Sequence, residues 1–183
     1  MSVPENIDLW KLTTQYPILI SDDDLGARNL MMLMLARQNL FSIANSQPED
    51  TLYLCRHYPV SLVMSDLMKP GMSGFEMIQI LRGDAATKQI PIIVCSARSD
   101  KTSMERALEL GADDFFSKPV GPYLEKLFGA IRRRVIDYYP RLMGVPFKHQ
   151  WLPDDTPSGF YPVHTSHRVQ IPEHGWLGTV HCL

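Results

Sequence analysis

At 183 residues the chain has room for one ordinary domain of roughly 150 residues and a remainder too short for a second. Hydrophobic residues make up 45% and charged residues 21%, which excludes a chain that is disordered or collagenous throughout. Eighteen basic against 20 acidic side chains leave a net charge of −2, so bulk neutralisation of phosphates is excluded as a binding mode and no nucleic-acid partner is expected.

Residues 1–16 read as a lead-in. Glu5 and Asp8 stand where an export signal would carry Lys or Arg. The longest apolar run, Leu30 to Ala36, is far short of the ~18 residues a membrane span needs, so no membrane partner is expected. Cys55, Cys95 and Cys182 are odd in number and far apart, which suits reduced thiols and a cytoplasmic location.

From residue 17 to 139 short apolar runs alternate with helical patterns, the mark of βαβ units and a parallel sheet. The runs are 18–21, 41–44, 61–65, 92–95 and 115–116, and the third and fourth are apolar on both faces, as central strands are. Among the intervening helices, one opens on a Ser73-x-x-Glu76 capping box and runs to about Arg82, with Gly83 just past its end. Another spans about Asp100 to Gly111 and should bury Met104, Ala107 and Leu108; Cys95 reads as a buried residue of the fourth strand. The last begins at Pro122 and places Leu124, Leu127, Phe128, Ile131 and Val135 on one stripe, leaving Arg132 to Arg134 mostly off it. This predicts an α/β fold: a doubly wound, five-stranded parallel sheet with five helices.

From Pro140 onward the pattern stops. Six prolines, four glycines and five histidines are scattered over residues 140–183 with no sustained period, and no output domain is read there. Its aromatic residues favour docking over a free tail. His164, His167, His174, His181 and Cys182 match no standard zinc spacing.

In such a sheet ligands bind beyond the carboxyl ends of the strands. There the sequence puts Asp22-Asp23-Asp24 after the first strand, Asp66 after the third, Ser96 at the end of the fourth and Lys118-Pro119 after the fifth. Clustered carboxylates repel, and a divalent cation relieves this. Asp22, Asp23 and Asp66, with the Met68 carbonyl, suit Mg²⁺ completed by a phosphoryl group.

The motifs ILISDDDLGAR (18–28), LVMSDLMKPGMSGFE (62–76), PIIVCSA (91–97) and GADDFFSKP (111–119) together resemble the receiver domain of two-component response regulators, over about residues 17–139. The resemblance implies a flavodoxin-like sheet of order 2-1-3-4-5 and Asp66 as phosphoacceptor, with Asp22 and Asp23 holding Mg²⁺ directly or through water. Ser96 and Lys118 would contact the phosphoryl oxygens, and a cis Lys118–Pro119 bond would aim Lys118 inward. Phe115 would be the switch aromatic that turns inward when Ser96 moves. The donor would be a phosphohistidine on a sensor histidine kinase or histidine phosphotransfer protein. An unidentified downstream protein would read the face of the fourth helix, fifth strand and fifth helix, through which a homodimer could also form.

Three positions depart from the family pattern: Ser21 where an apolar residue is usual, Ser96 for the commoner Thr, and Lys69 in a slot often apolar. Lys69 lies near the acceptor loop, where it could alter phosphoryl lifetime, but is expected to be solvated; Arg28 is expected at the surface. Asp24 is expected to be an exposed acid at a helix start. Two other readings compete. A pseudo-receiver scaffold would never carry phosphate, and a haloacid-dehalogenase-like phosphohydrolase would use Asp22-x-Asp24, although it leaves Asp66 unexplained.

Overall fold

The computed structural model describes residues 7–143 and the two-residue strand Tyr161–Pro162. Five parallel strands, β1 (Ile18–Ser21), β2 (Ser42–Asn45), β3 (Leu62–Ser65), β4 (Ile92–Ser96) and β5 (Asp114–Ser117), lie in the order 2-1-3-4-5. β6 (Tyr161–Pro162) adds antiparallel to the edge of β2, pairing at Ile43 and Ala44. The expectation about the rest of the tail, and about its histidines, lies outside the described residues.

Among the described residues six helices surround the sheet, one more than expected: α1 (Leu9–Gln15), α2 (Leu25–Ala36), α3 (Pro48–His57), α4 (Gly74–Gly83), α5 (Lys101–Glu109) and α6 (Leu124–Leu142). The additional one is α1, capped by Asp8, whose side chain accepts from Lys11 N–H. Seven residues are too few to show a sustained period in sequence, so this helix depends on its packing.

Strand side chains alternate between two cores, as a period of 2 requires. Ile18, Ile20, Leu62, Met64, Ile93 and Cys95 meet Met31, Met32 and Leu35 of α2 and Leu127, Phe128, Ile131 and Val135 of α6. Leu19, Val63, Ile92 and Val94 meet Leu52, Leu54, Met77, Ile78 and Ala107 from α3, α4 and α5. Both faces are covered, which explains why the central strands are apolar throughout.

The helix ends show where periodicity misleads. The capping box at Ser73 and Glu76 forms, but Gly83 is the last helical residue of α4 rather than the one past it. On α5 Ala107 is buried while Leu108 is 43% exposed, because one short helix on an edge strand covers only a narrow stripe. A 3₁₀ turn, Gly121–Tyr123, holds Pro122, and α6 then passes through Pro140 to Leu142, which is buried in the first core. That apolar contact carries the helix past the residue at which the sequence predicts its end.

Candidate functional site

The strand ends are tied to one another before any side chain is considered. Asp22 N–H donates to Asn45 O (3.2 Å), Asp66 N–H to Ser21 O (3.0 Å) and Lys118 N–H to Ser96 O (2.9 Å), so the ladder continues one step into each loop. This fixes three functional side chains on rigid backbone. Gly74 closes the floor: a Cβ there would overlap the Asp66 carbonyl oxygen and sit 2.7 Å from Leu67 Cα, so only glycine lets α4 start this close to β3.

Lys118 reaches between the two buried acids. Its Nζ donates to Asp22 Oδ2 at 2.5 Å and to Asp66 Oδ2 at 2.6 Å. The other Asp66 oxygen, Oδ1, accepts from Ser96 Oγ (2.6 Å) and Met68 N–H (3.0 Å). Burial pushes the Asp66 carboxyl up, but the hydrogen bonds from Lys118, Ser96 and Met68 outweigh it and hold the group below the usual carboxylate range. Burial likewise lowers Lys118, and the bonds to Asp22 and Asp66 more than reverse this, raising it above an ordinary lysine. The ground state is therefore an ionised Asp66 facing a protonated Lys118. The Lys118–Pro119 peptide is cis.

Asp23 is exposed at the rim, and Asp24 caps α2 by accepting from Ala27 N–H at 2.6 Å. Asp22 Oδ1 accepts from Asp24 N–H (3.0 Å), leaving its Oδ2 for Lys118. Among the described residues no three His, Cys, Asp or Glu side chains gather closely enough to hold a metal ion by themselves. What the pocket offers is Asp22 and Asp66 bridged by one ammonium, Asp23 beside them and the Met68 backbone next in chain. An open set of oxygen donors fits Mg²⁺, which retains several waters and avoids all-protein cages.

Two sequence expectations fail here. Arg28 is buried rather than at the surface, because its Nη1 donates to the Asp22 carbonyl oxygen at 2.5 Å and braces the first acidic loop. Lys69 is not a solvated loop lysine: its stem folds inward and Nζ donates to Ser21 Oγ at 2.6 Å. Burial lowers its pKa to about 8, against the opposing pull of Asp66, Asp22, Asp23 and Glu49. Thr51 and Asn45, which bond on from Ser21, carry no sequence signal as isolated polar residues.

Phe115 is half-buried at the edge of the second core. Arg134 spends its charge within the chain, bonding Asp114 Oδ2 at 2.7 Å, while Arg132 and Arg133 stay exposed. Cys55 and Cys95 are free and buried, and burial pushes both thiols up to about 12.

A family profile described as the response regulator receiver domain matches residues 18–132. The chain belongs to this family. The transcriptional regulatory protein AfsQ1 of Streptomyces coelicolor is 39% identical over 118 residues, covering 64% of this chain and 51% of that one. The DNA-binding response regulator MtrA of Mycobacterium bovis is 30% identical over 123 residues, covering 67% and 52%. The chain thus spans about half the length of these curated relatives. The receiver domain of the sensor histidine kinase PA1611 from Pseudomonas aeruginosa, solved with magnesium in its active-site cleft, superposes with a TM-score of 0.59 at 18% identity, covering 64% of this chain and 95% of that domain.

Family membership sets aside the phosphohydrolase reading. It also corrects the expectation that nucleic acid is foreign to this protein, since relatives matched over this region are named as transcriptional and DNA-binding regulators. A net charge summed over one chain reports bulk phosphate neutralisation and is silent on what the longer relatives do. Among the described residues no helix is long and apolar enough to cross a membrane.

Proposed function

We propose that this receiver is a phosphorylatable switch in which Asp66 accepts a phosphoryl group from a phosphohistidine donor in a Mg²⁺-dependent reaction. The observation that carries the reading is the double engagement of Asp66: one oxygen on Lys118, shared with Asp22, and the other on Ser96 and Met68 N–H. A carboxylate so held is ionised and has a fixed attack direction.

In the transfer one Asp66 oxygen forms the new P–O bond while the donor's P–N bond breaks, and the imidazole nitrogen leaves with the bonding pair and takes a proton. Lys118 stands where charge on the phosphoryl oxygens develops, and Ser96 Oγ can donate to one of them. Asp22, Asp23, Asp66 and the Met68 carbonyl would hold Mg²⁺, which when bound neutralises phosphoryl charge. Afterwards Ser96 no longer faces a free carboxylate oxygen. Its move toward the phosphoryl group would open the space beside β4 that Phe115 can occupy, the switch role this reading gives Phe115.

Incubation with acetyl phosphate and Mg²⁺, followed by intact-mass and peptide analysis, tests the proposal. Labelling should appear on Asp66, vanish in Asp66→Asn and fail in EDTA. Label on Asp22, or equal label in Asp66→Asn, overturns it, and no label on the wild type favours a scaffold.

A further inference from the structure

On the side of the sheet covered by α3 and α4, a line of polar side chains runs under the pocket and plays no part in phosphoryl transfer as described above. Lys69 Nζ donates to Ser21 Oγ at 2.6 Å and lies 3.8 Å from Met77 Sδ. Ser21 Oγ is hydrogen-bonded to Thr51 Oγ1 (2.7 Å), which is hydrogen-bonded to Asn45 Oδ1 (3.0 Å). Ser21, Thr51 and Asn45 are fully buried. An amide oxygen only accepts, so the single Thr51 proton serves Asn45 and the Ser21 proton serves Thr51. The Ser21 oxygen is then left as an acceptor for the ammonium.

This arrangement is costly. A lysine gives up rotamer freedom and part of its hydration to lie inward, and it does so against a neutral hydroxyl instead of a carboxylate. Valine or leucine at 21 would offer no acceptor, and an apolar residue at 69 would need none, so the two polar residues are mutually dependent. Lys69 follows Asp66 by three residues and its ammonium is held on Ser21, the residue before Asp22, so the charge is brought up against the acids of the pocket, and Asp66, Asp22 and Asp23 act on it together with Glu49. The pocket thus faces two lysines: Lys118 inside it, pairing two acids, and Lys69 at its flank, held in place by Ser21.

We propose that Lys69, tethered by Ser21, is a resident cation that lowers the Mg²⁺ affinity of the Asp22–Asp23–Asp66 pocket. The inference rests on the phosphoacceptor reading for the identity of that pocket. Its consequence is a tighter dependence of the metal on phosphoryl loading. A site already carrying two ammonium groups holds a divalent cation weakly until the arriving phosphoryl group adds negative charge, and by linkage each ligand then strengthens the other.

Isothermal titration of the full chain with MgCl₂ at fixed ionic strength and neutral pH tests this without relying on phosphorylation. Lys69→Met should bind Mg²⁺ more tightly by roughly tenfold, the effect of deleting one partly screened unit charge nearby. Lys69→Arg should stay near wild type, and Ser21→Val, which frees the ammonium, should fall between. Should Lys69→Met fail to fold by circular dichroism, Lys69→Gln supplies the same neutral comparison. Unchanged or weaker Mg²⁺ binding in the neutral variant overturns the proposal. Asp22→Asn separates the two levels of argument. If it weakens Mg²⁺ binding while Lys69→Met matches wild type, only the role of Lys69 fails. If wild type and Asp22→Asn show no Mg²⁺ binding, the metal reading of the pocket fails with it.

Discussion

The two ends of the parallel sheet solve one problem in opposite ways. Strands that stop leave backbone groups unpaired at both ends. At the amino end α1 closes the approach to β2 through neutral contacts: Thr13 Oγ1 accepts from Phe41 N–H (2.8 Å) and donates to Leu9 O (2.7 Å), Trp10 meets the Phe41 ring edge-on at 6.1 Å, and Leu12 and Tyr16 enter the first core. At the carboxyl end the groups are charged instead: a partly exposed Lys118 bridges the buried Asp22 and Asp66. The contrast assigns cohesion to one end and chemistry to the other, so changes at the two ends should separate cleanly.

The largest separation is expected from Lys118→Met. Both acids lose their shared ammonium, Asp66 moves up in pKa, and the rate of acetyl-phosphate labelling should fall by about 10²- to 10³-fold, the usual cost of removing one preorganised charge from a transfer site. Far-ultraviolet circular dichroism should stay native. The converse is Leu12→Ala at the other end. Leu12 is 4% exposed, and its truncation should cost about 2–4 kcal/mol in urea unfolding while leaving the labelling rate unchanged. A labelling defect in Leu12→Ala, or collapse of Lys118→Met, would break the comparison.

The same contrast governs what could be read from sequence. The five strands, their order once the family resemblance is drawn, and the positions of Asp22, Asp66, Ser96 and Lys118 were legible because short apolar runs end abruptly in polar or charged residues. The helix α1 was not, since seven residues carry no periodic signal and its stability comes from Phe41 and the core, distant in sequence. Arg28 and Lys69 were misplaced for a related reason. A charged residue reads as solvated by default, and only the backbone oxygen of Asp22 and the hydroxyl of Ser21 reveal that each has a partner inside. Ser21, as a polar residue in an apolar strand, was the one visible hint.

The smallest effect tests whether every acid at the carboxyl end belongs to the chemistry. Helices α4 and α5 also start there, and a carboxylate takes part in each start, Glu76 in the capping box with Ser73 and Asp100 as the cap itself. Glu76 accepts from Ser73 N–H and Oγ, each at 2.8 Å, and Asp100 accepts from Ser103 N–H (2.9 Å) and Oγ (2.7 Å). Backbone and hydroxyl hydrogen bonds from Ser73 lower Glu76, and those from the Ser103 hydroxyl and backbone lower Asp100. Because the folded values are depressed, the unfolded chain binds more protons as the pH drops toward the ordinary carboxylate range near 4. The capping contribution is therefore complete above that range and is lost as pH falls through the lower folded values. A Glu76→Gln, Asp100→Asn double variant should lose part of this acid sensitivity in unfolding midpoints followed from about pH 6 down to pH 3, across the carboxylate range. Its labelling rate at neutral pH should match wild type. If labelling drops with the caps, position in the sheet alone would decide which acids serve the pocket. If it does not, what marks Asp22 and Asp66 is their shared lysine.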